Sequence, residues 1–414
     1  MKPLGEPAFA RLWVAAFFSE TAEWMLQIAL PVFVFRATGS AATTALSIVL
    51  GLVPAVLLSP IAGVIADRWN RRLVLCVVCA GQAFVALPLL FVASGGPVFV
   101  IYGVMAAQAG LASLFEPARN ALVPELVAPD ELIGANGLMS VNSSVARLVG
   151  GWAGGLLLGF GGLGWVVVAY LGVLVIGSAL LARPFRRVAA PMVAGPPEPV
   201  LRAWLDGLRE IGREGRLRLA GVVVVLTSLA QGMFLVLFVV FVLDILDGTE
   251  GDVGLLRGVQ ALGGLAAGFA VATVARKVAP AALLGWGGLA LGLLSALIWN
   301  LPTLILSLPL GVFIGLFALV GAPGVLAGSG LLSLVQTTAS PERSGRALST
   351  MFAGTAGFTA LGASLAGGLV SVLGTGVLLN LQAGLHVASA LIVLGVSASG
   401  RSRRDPVLAV PRSG

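Results

Sequence analysis

The chain has 414 residues, 58% hydrophobic and 10% charged, where a typical soluble domain is roughly 25% charged. With a mean hydropathy of +1.03, this composition excludes a soluble globular enzyme, a disordered chain and a secreted disulfide scaffold. Unbroken rather than alternating apolar runs exclude a transmembrane β-barrel. The net charge of +7 does not point to nucleic acid, because the bases fall in short loops rather than on one folded face.

Read between charges and Gly/Pro punctuation, the apolar runs predict twelve spans. They lie near 10–35, 43–66, 73–94, 97–121, 137–159, 164–183, 219–243, 254–275, 280–300, 302–328, 346–372 and 375–399, each long enough to cross a bilayer core. Glu6, Glu20 and Glu23 interrupt the first run and no small-residue cleavage site follows, so it reads as a span and not as a signal peptide. Cys76 and Cys79 form a C-x-x-C inside an apolar run and read as small core residues. One side of the membrane collects Lys2, Arg68, Arg71, Arg72, the 184–218 segment, Arg276, Lys277, Arg343, Arg346 and the Arg401–Arg404 tail. The other keeps Arg36 and Arg257 and the acids Asp244, Asp247, Glu250 and Asp252. The Lys/Arg bias therefore predicts a multi-pass cell-membrane protein with both termini cytoplasmic.

The chain also divides in the middle: a six-helix half at 1–183, a cytoplasmic linker at 184–218, a second six-helix half at 219–400 and a basic tail at 401–414. In the linker, Leu201, Trp204, Leu205, Leu208 and Ile211 recur at helical spacing, which fits an interfacial amphipathic helix or a solvated connecting helix. The halves echo each other. Gly63 to Arg71-Arg72 closes span 2, and Gly268 to Arg276-Lys277 closes span 8 at the same spacing. Two such halves with a path between them are the usual architecture of a secondary transporter.

The loop Gly63-x-x-x-Asp67-Arg68-x-Asn70-Arg71-Arg72 resembles the signature of the major facilitator superfamily, with Asn70 in place of a Gly. Asn tolerates a left-handed backbone better than most residues, so the turn is expected to survive. The likeness covers roughly 8–400. Within the superfamily the chain is most similar to the drug–proton antiporter branch of macrolide-efflux and enterobactin-exporter proteins, on FARLWVAAFFSE, FEPARNALVPELVAPDEL and the ANGL…ARLVGGWAGGLL run. The Gly-Pro pair of the exporter motif is here Gly150-Gly151 followed by Trp152. The resemblance implies an all-α fold of twelve transmembrane helices in two pseudo-symmetric halves. It also implies a cytoplasmic gate at Gly63, Asp67, Arg68, Arg71 and Arg72, which Arg119, one turn from Glu116, could join. A local Glu116–Arg119 ion pair is the alternative.

Within the spans, Glu20 and Glu23 share one face of span 1. An intramembrane acid costs roughly 2.5–3.5 kcal/mol on insertion scales, so it is functional by default. These residues could carry protons or bind cationic drugs; a structural ion pair is the alternative. Arg147 in span 5 needs a partner, and Glu20 or Glu23 is the expected one. His386 reads as packed and neutral. The resemblance implies that spans 5 and 8 face each other across the halves, so Gly150, Gly151, Gly154 and Gly155 in span 5, with Gly263, Gly264 and Gly268 in span 8, are expected to form the packing seam between them. Gly159-x-Gly161-x-x-Gly164 matches a dinucleotide fingerprint, but no strand precedes it. No nucleotide loop, cofactor or metal site is expected.

The chain reads as a monomeric, proton-coupled exporter of amphiphilic small molecules. A facilitator or exporter of a specific metabolite, siderophore or lipid, and a transport-inactive sensor or scaffold, stay open as alternatives. Trp24, Phe234, Phe238 and Phe317 are expected among the cavity walls.

Overall fold

The computed structural model describes residues 2–128, 131–183, 208–209, 211–273, 278–305, 308–338 and 344–402. The side chains of 2, 59–68, 133, 272–273, 344–347, 349 and 399–402 lie outside that description. So do most of the expected 184–218 linker, the Arg276-Lys277 pair, Arg343 and nearly all of the tail. The side chains of Asp67 and Arg68, the surroundings of Gly63, and the side chain of Arg346 are likewise not described.

Apolar runs in lipid must satisfy their own backbone polar groups, and helices do so within one segment. The spans are α1 (Pro7–Thr38), α2 (Ala41–Arg68), α3 (Arg71–Ala86, continued by Pro88–Ala93) and α4 (Phe99–Leu126). A 51-residue helical stretch, Leu132–Ala182, carries α5 and α6, which part at Gly162. Then come α7 (Gly215–Val240, with a π turn Phe241–Ile245), α8 (Glu250–Thr273), α9 (Pro280–Leu304), α10 (Leu310–Thr338), α11 (Ser344–Leu373) and α12 (Thr375–Ser402). Among the described residues, ten helices are long and apolar enough to cross a membrane when Leu132–Ala182 counts once. The break at Gly162 and the charge-bearing α1 complete the twelve. Large side chains such as Phe84, Phe160, Phe269 and Phe352 are exposed on the outside of the bundle, the reverse of a water-soluble surface.

Packing repeats between the halves. α2 packs on α4, and α8 on α10; α1 packs on the α5–α6 stretch, and α7 on α11; α3 packs on that stretch too, and α9 on α12. Two seams join the halves, α5 on α8 and α2 on α11. α1 begins and α12 ends on the same side, here the termini end.

Several expectations shift. The tenth span is displaced from 302–328 to Leu310–Thr338, because α9 runs through Pro302 to Leu304; a proline in a final turn interrupts little helix beyond it. Asn70 is extended (φ −64°, ψ 107°) and its side chain accepts from the Leu73 backbone N–H, so it serves as an N-cap and not as a left-handed turn residue. The glycine fingerprint is resolved by Gly162, whose φ of 74° and ψ of −173° end α5 in a conformation that only glycine takes readily.

The glycines sort by helix face. Gly151 and Gly155 meet α8: a Cβ on Gly155 would lie 2.3 Å from the Glu250 carbonyl, and one on Gly254 2.3 Å from the Gly151 carbonyl. Gly258 continues the seam against Leu148. Gly150 and Gly154 instead meet α1, at the carbonyls of Thr21 and Met25. Gly263 faces α10 at the Ala318 carbonyl, Gly264 lies by Val325, and nothing approaches Gly268 within 4 Å. The α8 side of the seam is thus Gly254 and Gly258, a helical face away from the Gly263, Gly264 and Gly268 expected.

Gly254→Val should therefore overpack the α5–α8 seam and cost about 1–3 kcal/mol, read as a lower melting temperature of the detergent-purified chain. Gly268→Ala, in open space, should leave that temperature unchanged.

Candidate functional site

The polar interior begins on α1. α1 and α5 both rise from the termini end, so their side chains meet in parallel register. Glu20 is buried and accepts from Arg119 of α4 and from the Ser143 hydroxyl of α5. Arg119 also lies 3.7 Å from Glu116, one turn away on α4. One turn along α1, half-buried Glu23 accepts from the Gln27 amide at 2.9 Å, and no cation lies within ion-pair distance of it among the described residues. Behind it, Tyr170 donates to Gln108 at 3.1 Å, and Gln108 donates to the Gln82 carbonyl at 2.8 Å.

Arg147 is not paired with either acid. It sits over the Trp24 ring, 5.7 Å from its centre, and its Nε is buried with no hydrogen-bond partner among the described residues. The reason is helix rotation. Ser143 shares the face of Gly150 and Gly154, which meets α1, whereas Arg147 shares the face of Gly151 and Gly155, which meets α8. Arg119 reaches Glu20 first from α4. The expected Arg147–carboxylate pair is therefore replaced by Arg119–Glu20, and Arg119 is held on α1 by that pair.

Arg257 was expected with the far-side loop charges. α8 starts at Glu250, four residues earlier than the hydropathy run, which places Arg257 two turns inside the helix. There it stacks 4.9 Å from the Phe234 ring centre and donates to Gln260 at 2.9 Å.

Four cavities join these groups. One of about 160 Å³ is bordered by Glu20, Glu23, Trp24, Glu116 and Arg119. A small one of about 60 Å³ is lined by Glu23, Gln82, Gln108 and Tyr170. A third, of about 130 Å³, runs between the halves from Gln27 to Phe238 and Arg257. The largest, about 290 Å³, holds Arg147, Arg257, Gln260 and His386 against Phe234, Trp299 and Phe317. Gln27 lines three of them, so adjoining cavities lead from Glu23 past Gln27 to Arg257, through largely apolar walls. His386 is buried as expected, and it borders the cavity of about 290 Å³.

At the termini end, Arg71 pairs with Glu125 of α4, and Arg72 donates to the Ala182 carbonyl at 2.6 Å. Glu125 escaped the sequence reading because it follows Pro124 at the apparent end of an apolar run; the helix continues through that proline. At the far end Arg36 donates to Glu250 at 2.9 Å and to the Gly248 carbonyl at 3.3 Å, bridging the halves.

A family profile described as transmembrane secretion effector, MFS_3, matches residues 1–406. The chain belongs to that family of major facilitator transporters. It is 28% identical to the lysophospholipid transporter of Serratia proteamaculans over 63% of this chain and 65% of that protein. It is 28% identical to the enterobactin exporter of Shigella boydii over 49% of each. The chain thus spans about two thirds of the first relative's length and half of the second's. To the multidrug efflux pump Tap of Mycobacterium tuberculosis it is 27% identical over 95% of this chain and 92% of that one. Among solved structures, a nucleoside transporter superposes with a TM-score of 0.77 at 12% identity, covering 94% of this chain and 99% of that chain. A bacterial homologue of the iron transporter ferroportin gives 0.71 at 17%, covering 95% and 99%. The family is one of membrane transporters and not of enzymes.

Glu20→Gln should strand Arg119 in a buried site and cost about 3–5 kcal/mol. The double variant Glu20→Gln/Arg119→Gln should recover most of that loss. Denaturant unfolding of the detergent-purified proteins reads both; a double variant no more stable than the single one would contradict the pairing.

Proposed function

We propose that the chain exports amphiphilic drugs or secondary metabolites by alternating access, in exchange for protons, as a monomer in the cell membrane with both termini cytoplasmic. The observation that carries this reading is Glu23, a carboxyl midway along α1 that faces two cavities with only a neutral amide as its hydrogen-bond partner. An acid so placed can take up and give back a proton without breaking an ion pair, whereas Glu20 is committed to Arg119. The multidrug relative supports drugs as cargo. The lysophospholipid and enterobactin relatives support a second reading, export of one specific lipid or siderophore.

The energetics suffice. One proton moving across about 100 mV releases roughly 2.3 kcal/mol, and at about 1.4 kcal/mol per tenfold step that sustains a substrate gradient of about 50-fold. In the proposed cycle Asp67, Arg68, Arg71 and Arg72 close the cytoplasmic end, with Arg71 anchored on Glu125. Arg36 and Glu250 close the outer end, and each closure is released as the other forms.

Proteoliposomes carrying rhodamine 6G or fluorescein should accumulate dye against its gradient when a pH gradient is imposed and lose that accumulation with a protonophore. Glu23→Gln should cut gradient-driven accumulation at least tenfold while sparing dye-for-dye exchange. Accumulation indifferent to the pH gradient would sink the antiport reading. Asp67→Asn should insert normally and slow both modes; wild-type rates would remove Asp67 from the gate.

A further inference from the structure

The cavity of about 290 Å³ holds charges that no acid answers among the described residues. Arg147 reaches it from α5 in the first half, and Arg257 from α8 in the second. No Asp or Glu is among its lining residues, and neither guanidinium makes an ion pair among the described residues. The aromatic faces of Trp24 and Phe234 hold the two cations, but such contacts are worth only about 0.5–2 kcal/mol each. They stop short of what a buried charge forgoes on leaving water.

The hydrogen-bond inventory leans the same way. Arg147 Nε, Gln260 Nε2 and His386 Nδ1 are all buried without a partner among the described residues, and all three residues line this one cavity. The Gln260 oxygen already accepts from Arg257, so its free end is a pure donor. Likewise the Gln382 oxygen accepts from Trp299 at 3.0 Å. The cavity therefore offers donors and positive charge in excess of acceptors. The complement is a group with several anionic oxygens, which guanidinium forks bind best. The wall that starts at the Phe234 ring under Arg257 is apolar: Phe234, Trp299 and Phe317 pack at ring-centre distances of about 5–6 Å, directly and through Phe238 and Phe241.

We infer that this cavity binds the acidic head of an amphiphilic anion, a carboxylate, sulfonate or phosphate, between Arg147 and Arg257, with its apolar body on the Phe234–Trp299–Phe317 wall. The inference rests on the transport reading only in making that anion the cargo. An anion so held touches both halves at the seam where Gly151 and Gly254 bring α5 and α8 together, so its arrival draws the halves onto one ligand. At about 290 Å³ the cavity is near the lower bound of roughly 300 Å³ for small-molecule sites, which suits a headgroup with one or two rings.

The test is equilibrium binding to the full chain in phosphatidylcholine nanodiscs, with three probes that differ in charge: naphthalene-2-sulfonate, neutral 2-naphthol and 2-naphthylmethylammonium. The sulfonate should bind at least tenfold more tightly than the cation. Arg147→Gln and Arg257→Gln should each weaken it about tenfold, about 1.4 kcal/mol, while leaving 2-naphthol binding intact, which also shows that the cavity still folds. Arg257→Lys should retain most of the preference. A cation bound as tightly as the sulfonate, or a sulfonate preference that survives both Gln substitutions, would overturn the inference. Inorganic sulfate alone should bind weakly, since it lacks the apolar body; sulfate binding as tight as the sulfonate's would remove the wall from the site. Nanodiscs containing phosphatidylglycerol separate two sources of the same anion: competition assigns it to bilayer lipid and no competition to a solute. Binding needs no pH gradient, so a failed gradient experiment with intact anion preference would remove proton coupling and leave this site standing.

Discussion

The backbone contact between α5 and α8 sets the position of every polar group in the middle of the bundle. A Cβ at Gly155 or Gly254 would meet a carbonyl of the opposite helix at 2.3 Å, so only glycine lets the two halves approach this closely. Lipid supplies no hydrophobic drive between helices, and close van der Waals packing must take its place. Once α5 and α8 touch along Leu148, Gly151 and Gly155, residue 147 on one helix and residue 257 on the other have to share a cavity. The Arg36–Glu250 pair at the far end is a consequence of the same approach.

Given that seam, the charges segregate. The rotation of α5 turns Ser143 toward Glu20 on α1 and Arg147 toward α8. Glu20 is satisfied by Arg119 and Ser143, and Arg147 is left with an aromatic face. Acids therefore gather toward α1 and α4 in the first half, and unanswered cations gather at the seam. Replacing the Trp24 face by a carboxylate would have neutralised Arg147 permanently. Its absence keeps the guanidinium available to a ligand, at the cost of a charge only partly compensated in the meantime.

The helices were legible in the sequence because lipid leaves few alternatives to a helix, and length and apolarity mark a span directly. The tenth span was misplaced because α9 runs on through Pro302, and α8 was started too late because hydropathy marks where a run becomes apolar, whereas a helix begins where its backbone can be capped. α8 opens on Glu250 and Asp252, polar residues suited to a helix N-terminus, and the apolar window discards them. That error put Arg257 at the outer mouth of the span, where it lies two turns inside the helix. Partner choice was less legible still. Glu20, Glu23, Arg119 and Arg147 were all visible as costly charges, but which acid meets which base depends on helix rotation and register, to which spacing within one helix is blind. The seam glycines of α8 were missed for the same reason: the Gly263-Gly264 pair is the denser cluster, yet it faces α10 within the half.

The spatial order of the groups bears on how a proton and an anionic cargo act on each other's binding. Glu23 and Arg257 are not in contact; Gln27, which donates to Glu23, lines the cavity that Arg257 also borders. A direct Glu23–Arg257 ion pair would make each group the other's permanent partner, and neither proton nor anion could displace it cheaply. Separation by an amide and a cavity leaves the acid free to be neutralised by a proton and the base free to be neutralised by an anion. Through the low dielectric between them the two events favour each other: a proton on Glu23 removes a negative charge that would otherwise help offset Arg257, and so strengthens the field an anion meets. In the proposed cycle, exchange of the two therefore has to be imposed by the gates and not by this field. Loss of that proton restores the carboxylate and weakens the hold on the anion. Coupling in this arrangement needs no shared hydrogen bond, only two sites close enough to share a field and far enough apart to be filled separately.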